Sequence, residues 1–148
     1  VWYVERQLKQ FKQGVRGAHE KDTFGKMMAP MAATLADDAA ISNVAAYVAS
    51  LPDTPAATTI SGNVTSGARR YTTCAACHGA QGQGIAATNA PRLKGMSDWY
   101  LARQLKNFRE GVRGAHAQDP HGAQMALIAA MLPDDAAIGD VIAYINKR

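Results

Sequence analysis

Two cysteines and one histidine form the segment of the sequence with the clearest chemistry. Cys74, Cys77 and His78 stand in the pattern Cys-Ala-Ala-Cys-His, which includes both cysteines of the chain. Two thiols at this spacing can bond to the two vinyl groups of a haem, and an imidazole directly after the second thiol can bind the iron. The segment therefore predicts covalent attachment of one haem c.

Three other uses of paired cysteines fit the sequence less well. A thioredoxin-type redox pair needs a βαβ context, and no segment alternates with the period of a strand. A zinc site needs further ligands at metal spacing, but His116 and His121 lie beyond a long glycine-containing segment. A disulfide across two intervening residues is strained. These alternatives rank behind haem attachment.

The sequence contains one segment twice, and only the second copy carries the Cys-x-x-Cys-His pattern. A shift of 97 positions pairs residues 2–51 with residues 99–148, and 28 of these 50 pairs are identical. The second copy begins near Ser61, some 37 residues before its counterpart of Val1. We therefore expect an incomplete repeat at 1–51, a linker at 52–60 and a complete domain at 61–148. We also expect the chain to be a fragment of a longer protein with two complete units.

Helical spacing of apolar residues indicates the elements that position the triplet. Two stripes occur in each copy, at Val4, Leu8, Phe11 and Val15, at Ile41, Val44, Ala45 and Val48, and again 97 residues later. Asp37 and Asp134 stand where helix N-caps belong. A further helix is expected from Asn63 toward Cys74, followed by a glycine-rich loop over residues 79–97. We expect no sheet.

Composition bounds the function. The chain has 148 residues, 47% of them apolar and 19% charged, which is enough to bury a core. No apolar run approaches the roughly 20 residues that a membrane span requires. The net charge of +4 is spread along the chain, whereas nucleic-acid binding usually requires a concentrated basic face. We therefore expect no membrane span in this piece and no nucleic-acid partner.

The order of these segments resembles class I cytochrome c. Gly67 and Tyr71 precede the triplet, a glycine-rich loop contains Asn-Ala-Pro-Arg-Leu from Asn89, and Met125 precedes the last helix. The chain is most similar to the cytochrome c4 group of tandem dihaem proteins, and it also resembles c-type domains fused to subunit II of haem-copper oxidases. The resemblance implies an all-α fold wrapped around haem. The back half of a second such unit would precede it.

The resemblance also implies a set of site residues. Met125 is expected to be the second axial ligand, because it pairs with Met28 of the first copy, whereas His121 pairs with Phe24. His116 passes the same test and remains an alternative, although a surface loop against the neighbouring repeat is the preferred interpretation. The carbonyl of Pro91 is expected to accept a hydrogen bond from His78. Four further residues are expected near the ring edge or the propionates of the haem: Arg92, Trp99, Tyr100 and Gln104. For Trp99 and Tyr100, a role as helix anchors in the core is an equal alternative.

The expected function is single-electron transfer in a bacterial respiratory chain. The expected location is the periplasm, or the periplasmic face of the inner membrane if the chain is part of a larger protein. Imidazole and thioether ligation fills the coordination of iron and raises its potential, which favours a carrier over a catalyst. We expect no enzyme activity from the chain itself. Redox partners such as a terminal oxidase or a quinol-oxidising complex follow from this interpretation. The alternatives are the electron-entry domain of a larger enzyme, such as subunit II of a cytochrome c oxidase, and a peroxidase-like haem catalyst. We further expect self-association through the apolar stripes of residues 1–51.

Overall fold

The computed structural model describes residues 1–54 and 56–148, and its regular structure is helical. The helices are α1 Trp2–Lys12, α2 Thr23–Ala33, α3 Asp38–Ser50, α4 Val64–His78, α5 Asp98–Arg109, α6 Pro120–Ala129 and α7 Asp135–Ile145. A 3₁₀ turn at Ala86–Thr88 and one antiparallel bridge between Ile85 and Ala90 lie between α4 and α5. The described residues contain no strand, and the all-α prediction is confirmed.

Side-chain caps fix where the helices begin. Asp37 and Asp134 accept hydrogen bonds from backbone amides in the first turns of α3 and α7, as the sequence predicts. Asn63 caps α4 in the same way. This helix ends at His78, so that the cysteines and the histidine occupy its last two turns.

The sequence did not predict α2 and α6. Both are short, and both begin after an aspartate, Asp22 or Asp119, that accepts a hydrogen bond from the amide of Gly25 or Gly122. Their sequences mix alanine and methionine with glycine or proline, and α2 contains Pro30 in its interior. Neither segment therefore has the apolar stripe on which the sequence-based prediction depended.

The core of the second repeat is built where α4 crosses α7. Gly67 of α4 lies against the backbone of α7 at Asp140, where any side chain would overlap the carbonyl group. The rings of Tyr71 and Tyr144 are 5.1 Å apart at this crossing. The buried residues around it are Tyr71, Leu101, Leu132, Ala137, Ile138, Val141, Ile142 and Ile145.

The first repeat is packed less completely. Ile41 and Ala45 of α3 are buried. Tyr47, the counterpart of Tyr144, is 66% exposed. The exposed apolar side chains of this repeat also include Phe24, Met27, Met28, Met31, Val48 and Leu51. In the part of the chain that the structure describes, Arg103 of the second repeat contacts the ring of Phe24, and these side chains nevertheless stay exposed.

The two repeats meet through a buried polar network that repeats with the sequence. Arg16 donates to Gln7, Tyr100 and Gln104. Its counterpart Arg113 donates to Gln104, Tyr3 and Gln7. Each arginine thus binds the glutamine of its own repeat together with the tyrosine and the glutamine of the other. The arrangement has the symmetry of a two-fold axis.

The segment between the repeats is attached at its end to α5. Asp98 is 1% exposed and accepts hydrogen bonds from Thr59 and from the amide of Ile60. Asp53 forms a salt bridge of 2.6 Å with Arg92. Pro55, which belongs to the predicted linker, lies outside the described residues. Within the ranges given above, no helix has the length and the apolar character to cross a membrane.

Candidate haem site

The last turns of α4 open onto a cleft. Cys74, Cys77 and His78 all line this cleft, whose space of about 1200 Å³ includes open solvent at its mouth. Both cysteines are free thiols, and Cys77 is exposed. Burial raises the pKa of the Cys74 thiol. Two attachable sulfurs and one imidazole therefore face a single space.

The imidazole of His78 is held in one orientation. The side chain is 5% exposed, and its Nδ1 lies 2.8 Å from the carbonyl oxygen of Pro91. Because that oxygen can only accept, Nδ1 carries the proton and Nε2 keeps a free lone pair. Burial lowers the pKa of His78, and the hydrogen bond to Pro91 offsets part of this effect. The neutral ring thus presents Nε2 as a metal ligand.

The acceptor lies on a short, well-connected loop. We call residues 85–91 the Pro91 loop. Ile85 and Ala90 exchange backbone hydrogen bonds of 3.0 and 3.2 Å across it. Thr88 donates to the carbonyl of Cys77 at 2.8 Å, which ties the loop to the end of α4. The Pro91 carbonyl is therefore positioned by hydrogen bonds that join the two ends of the loop and by a contact of its middle with α4.

Candidates for a second axial ligand lie on α6. Met125 lines the same cleft as His78, and so does His121. His116 instead lines a separate cleft between the repeats, where its Nδ1 accepts from the amide of Gln118 at 3.2 Å. The structure thus brings Met125 together with the triplet and places His116 in the turn that faces the other repeat.

Four further predicted residues divide into two pairs. Tyr100 and Gln104 line the cleft and also belong to the inter-repeat network. Burial by itself would raise the pKa of Tyr100, but the neighbouring charges of Arg16 and Arg113 bring it below its ordinary value. Arg92 and Trp99 are not among the described residues that line the cleft.

Arg92 and Trp99 make other contacts. The guanidinium of Arg92 donates to the carbonyl of Lys94 and to the carboxylate of Asp53. Trp99 is 50% exposed and stacks beside Arg103. The structure does not bring either side chain to the cleft with the other candidates.

The sequence-based reasoning missed residues that the first repeat contributes. Tyr3, Arg6 and Gln7 of α1 line the cleft of the second repeat, as does Arg113. Met96 also lines this cleft. One signal was available: polar residues at positions 3, 6 and 7 recur 97 residues later, although no helical core requires them there.

Comparisons with known proteins agree with this geometry. The cytochrome c family model matches residues 64–148. Cytochrome c4 of Thiocapsa roseopersicina is 35% identical over 144 residues, covering 89% of this chain and 67% of that protein. The thiosulfate dehydrogenase electron acceptor of Stutzerimonas stutzeri is 42% identical over 76 residues, and this chain covers 35% of its length. The cytochrome c4 structure from Acidithiobacillus ferrooxidans aligns with a TM-score of 0.73 at 26% identity, covering 99% of this chain and 83% of that one.

The chain belongs to the cytochrome c family. It is a class I c-type cytochrome, similar to cytochrome c4, and its helical fold is the class I cytochrome c fold. Membership of this family implies a covalently bound haem c. The residues present fit that group, because two free thiols and a histidine with its Nε2 available line one cleft.

Proposed function

We propose that the chain is a single-electron carrier with one haem c and histidine–methionine ligation. Residues 61–148 would form the domain that holds the haem, and residues 1–51 a repeat without an attachment motif. The observation that carries the proposal is the shared cleft of Cys74, Cys77, His78 and Met125, with His78 oriented by Pro91. Bound there, the haem would supply one-electron redox chemistry at its iron.

The residues of the chain would perform three tasks. Cys74 and Cys77 would hold the group by thioether bonds, so that it cannot dissociate. His78 would bind through Nε2, and the hydrogen bond from Nδ1 to Pro91 would keep the ring from rotating and raise its basicity. The thioether of Met125 would hold the group from α6 as the second protein ligand, and such ligation would raise the reduction potential and keep peroxide and oxygen from binding.

Several contacts favour electron transfer with little rearrangement. His78 is fixed at the end of a helix, and Thr88 ties the Pro91 loop to that same helix end. The lining also contains Leu101, Leu105 and Ile128, which reduce the access of water. A site held by this many packed elements would change little when the charge of the haem changes.

We propose a periplasmic setting and protein redox partners. The Stutzerimonas stutzeri relative is named as the electron acceptor of thiosulfate dehydrogenase, which supports a dehydrogenase as the electron donor of this chain. A terminal oxidase or a quinol-oxidising complex fits the same role in a respiratory chain. The test is rapid mixing of the oxidised protein with a reduced dehydrogenase or quinol-oxidising complex, and of the reduced protein with an oxidised terminal oxidase. No electron transfer in any of these mixtures would contradict this part of the proposal.

Two measurements test the haem and its ligands. Intact mass after denaturation should show one retained haem, and a protein without covalent pigment would overturn the proposal. The ferric protein should show the long-wavelength absorption band of methionine-ligated haem. This band should vanish in Met125→Ala and persist in His116→Ala and His121→Ala. A band that survives Met125→Ala would exclude Met125 as the axial ligand.

Self-association through residues 1–51 stays a prediction. Phe24, Met27 and Met31 of α2 are each more than half exposed, which leaves an apolar surface on this repeat. If two chains bury this surface against each other, the average mass measured by sedimentation equilibrium should rise with protein concentration. A constant monomer mass at high concentration would contradict it.

A further inference from the structure

One arginine of the first repeat reaches the loop that orients His78. Arg6, on α1, donates from its two terminal nitrogens to Asn89, with distances of 3.0 Å to the backbone carbonyl and 3.3 Å to the side-chain oxygen. Its guanidinium also lies 4.9 Å from the centre of the Trp2 ring and 5.5 Å from that of Tyr3. Aromatic rings on its own helix therefore hold the charged group while it binds the other repeat.

Asn89 is the residue where the Pro91 loop turns. It has a φ of +57°, in the left-handed region, and ends the 3₁₀ turn. The next two residues are Ala90, which bonds back to Ile85, and Pro91, whose carbonyl lies 2.8 Å from His78. A contact at Asn89 thus restrains the loop two residues from the atom that fixes the imidazole.

We propose that Arg6 is a positioning residue for the haem site of the second repeat. By holding Asn89, Arg6 would keep the Pro91 carbonyl in place for His78. The first repeat, which has no haem-attachment motif of its own, would in this way support the haem site of the second repeat. The inference rests on the proposed function, because the role of His78 belongs to that function. It does not depend on which residue is the second axial ligand.

The repeated sequence supplies a matched control. Arg103 occupies the position of Arg6 in the second copy, on α5 instead of α1. Its guanidinium lies 3.8 Å from the ring centre of Phe24 and 4.9 Å from that of Trp99. Arg103 therefore contacts the tryptophan of its own helix as Arg6 does, but across the interface it contacts Phe24 of α2 and not the Pro91 loop.

The test compares Arg6→Met with Arg103→Met in the haem-bearing protein. Hydrogen exchange of the Ile85 and Ala90 amides reports the opening of the loop, and the NMR resonance of the His78 Nδ1 proton reports its hydrogen bond. We expect Arg6→Met to speed both amide exchange rates about tenfold, which corresponds to roughly 1.4 kcal/mol, and to shift the His78 resonance. Arg103→Met should change neither.

A milder variant is needed if Arg6→Met does not fold with its haem attached. Arg6→Lys keeps the charge but replaces the forked pair of donors with a single ammonium group, and we expect about threefold faster exchange. Unchanged exchange and an unchanged His78 resonance in the Arg6 variants would overturn the inference, as would equal effects from Arg103→Met. A parent protein that retains no covalent pigment would instead remove the proposed function, and this inference with it.

Discussion

Replacing Gly84 with alanine should loosen the hydrogen bond that orients His78. Gly84 has a φ of +79°, and a Cβ added there would lie 2.7 Å from the carbonyl carbon of Pro91 and 2.5 Å from the nitrogen of Arg92. Ordinary contact begins at 3.4 Å, so the peptide between these residues would have to retreat by about 0.7 to 0.9 Å. A retreat of that size along the hydrogen bond would lengthen its 2.8 Å to about 3.5 Å.

The expected loss of stability has two parts, and Gly111 separates them. Alanine in the left-handed region costs about 1–2 kcal/mol, and forcing extra atoms into a packed site costs about 1–3 kcal/mol more. Gly111 has a φ of +69° with nothing within 4 Å of an added Cβ, so Gly111→Ala should carry only the first cost. We expect Gly84→Ala to lower the free energy of unfolding by about 3 kcal/mol, equivalent to roughly 6–12 °C in the melting temperature.

Thermal unfolding and the reduction potential together check this reasoning. A weaker hydrogen bond from Nδ1 makes the His78 imidazole a poorer electron donor, so the potential of Gly84→Ala should rise, while that of Gly111→Ala should stay at the parent value. The His78 Nδ1 proton resonance should shift only in Gly84→Ala. Equal melting temperatures for the two variants, with both potentials unchanged, would refute the argument.

Three further changes test the packing around the site. Asp98→Asn should cost about 2–3 kcal/mol, because it weakens buried hydrogen bonds to a carboxylate. Burial raises the pKa of Asp98, but its hydrogen bonds bring it below the ordinary value, so this stabilisation is present above the unfolded carboxyl pKa and should fade in acid unfolding curves as the pH falls through the folded pKa. Arg16→Met combined with Arg113→Met should cost more than the two single changes together, since each arginine satisfies the glutamines when the other is removed; a double-mutant cycle measures the excess, expected at about 0.5–3 kcal/mol. Gly67→Ala should push α4 away from α7 and so lower the guanidinium chloride concentration at which half of the protein is unfolded. An unchanged unfolding midpoint would contradict the close crossing of the two helices.

The residues that depend on local pattern could be predicted, whereas those that depend on the orientation of the repeats could not. The capping of α3 by Asp37 and of α7 by Asp134 follows from residues a few positions apart. Arg6 contacts Asn89 across 83 residues. No periodicity in the sequence reports how two repeats face one another, so this contact was not foreseen.

Neighbours in sequence can also point to different surroundings. Pro91 and Tyr100 line the cleft, and the adjacent Arg92 and Trp99 were expected near it. Successive side chains leave the backbone in different directions, and Asp53 and Arg103 then provide partners for the two residues outside the cleft. The salt bridge of Arg92 joins residues 39 positions apart, which no local pattern encodes, whereas Trp99 and Arg103 are four positions apart on α5.

The arginine–glutamine–tyrosine network has the form of an isologous contact, in which one surface binds a copy of itself. In a homodimer any substitution at such a contact occurs twice. Here both halves lie on one polypeptide, so a single substitution alters one side and leaves its mirror position intact. The equivalent residues Arg6 and Arg103 already contact different partners, Asn89 and Phe24. At another pair of equivalent positions the residue itself differs, Phe24 in the first repeat and His121 in the second. Because the two repeats are covalently linked, each can change its contacts independently while the two stay together.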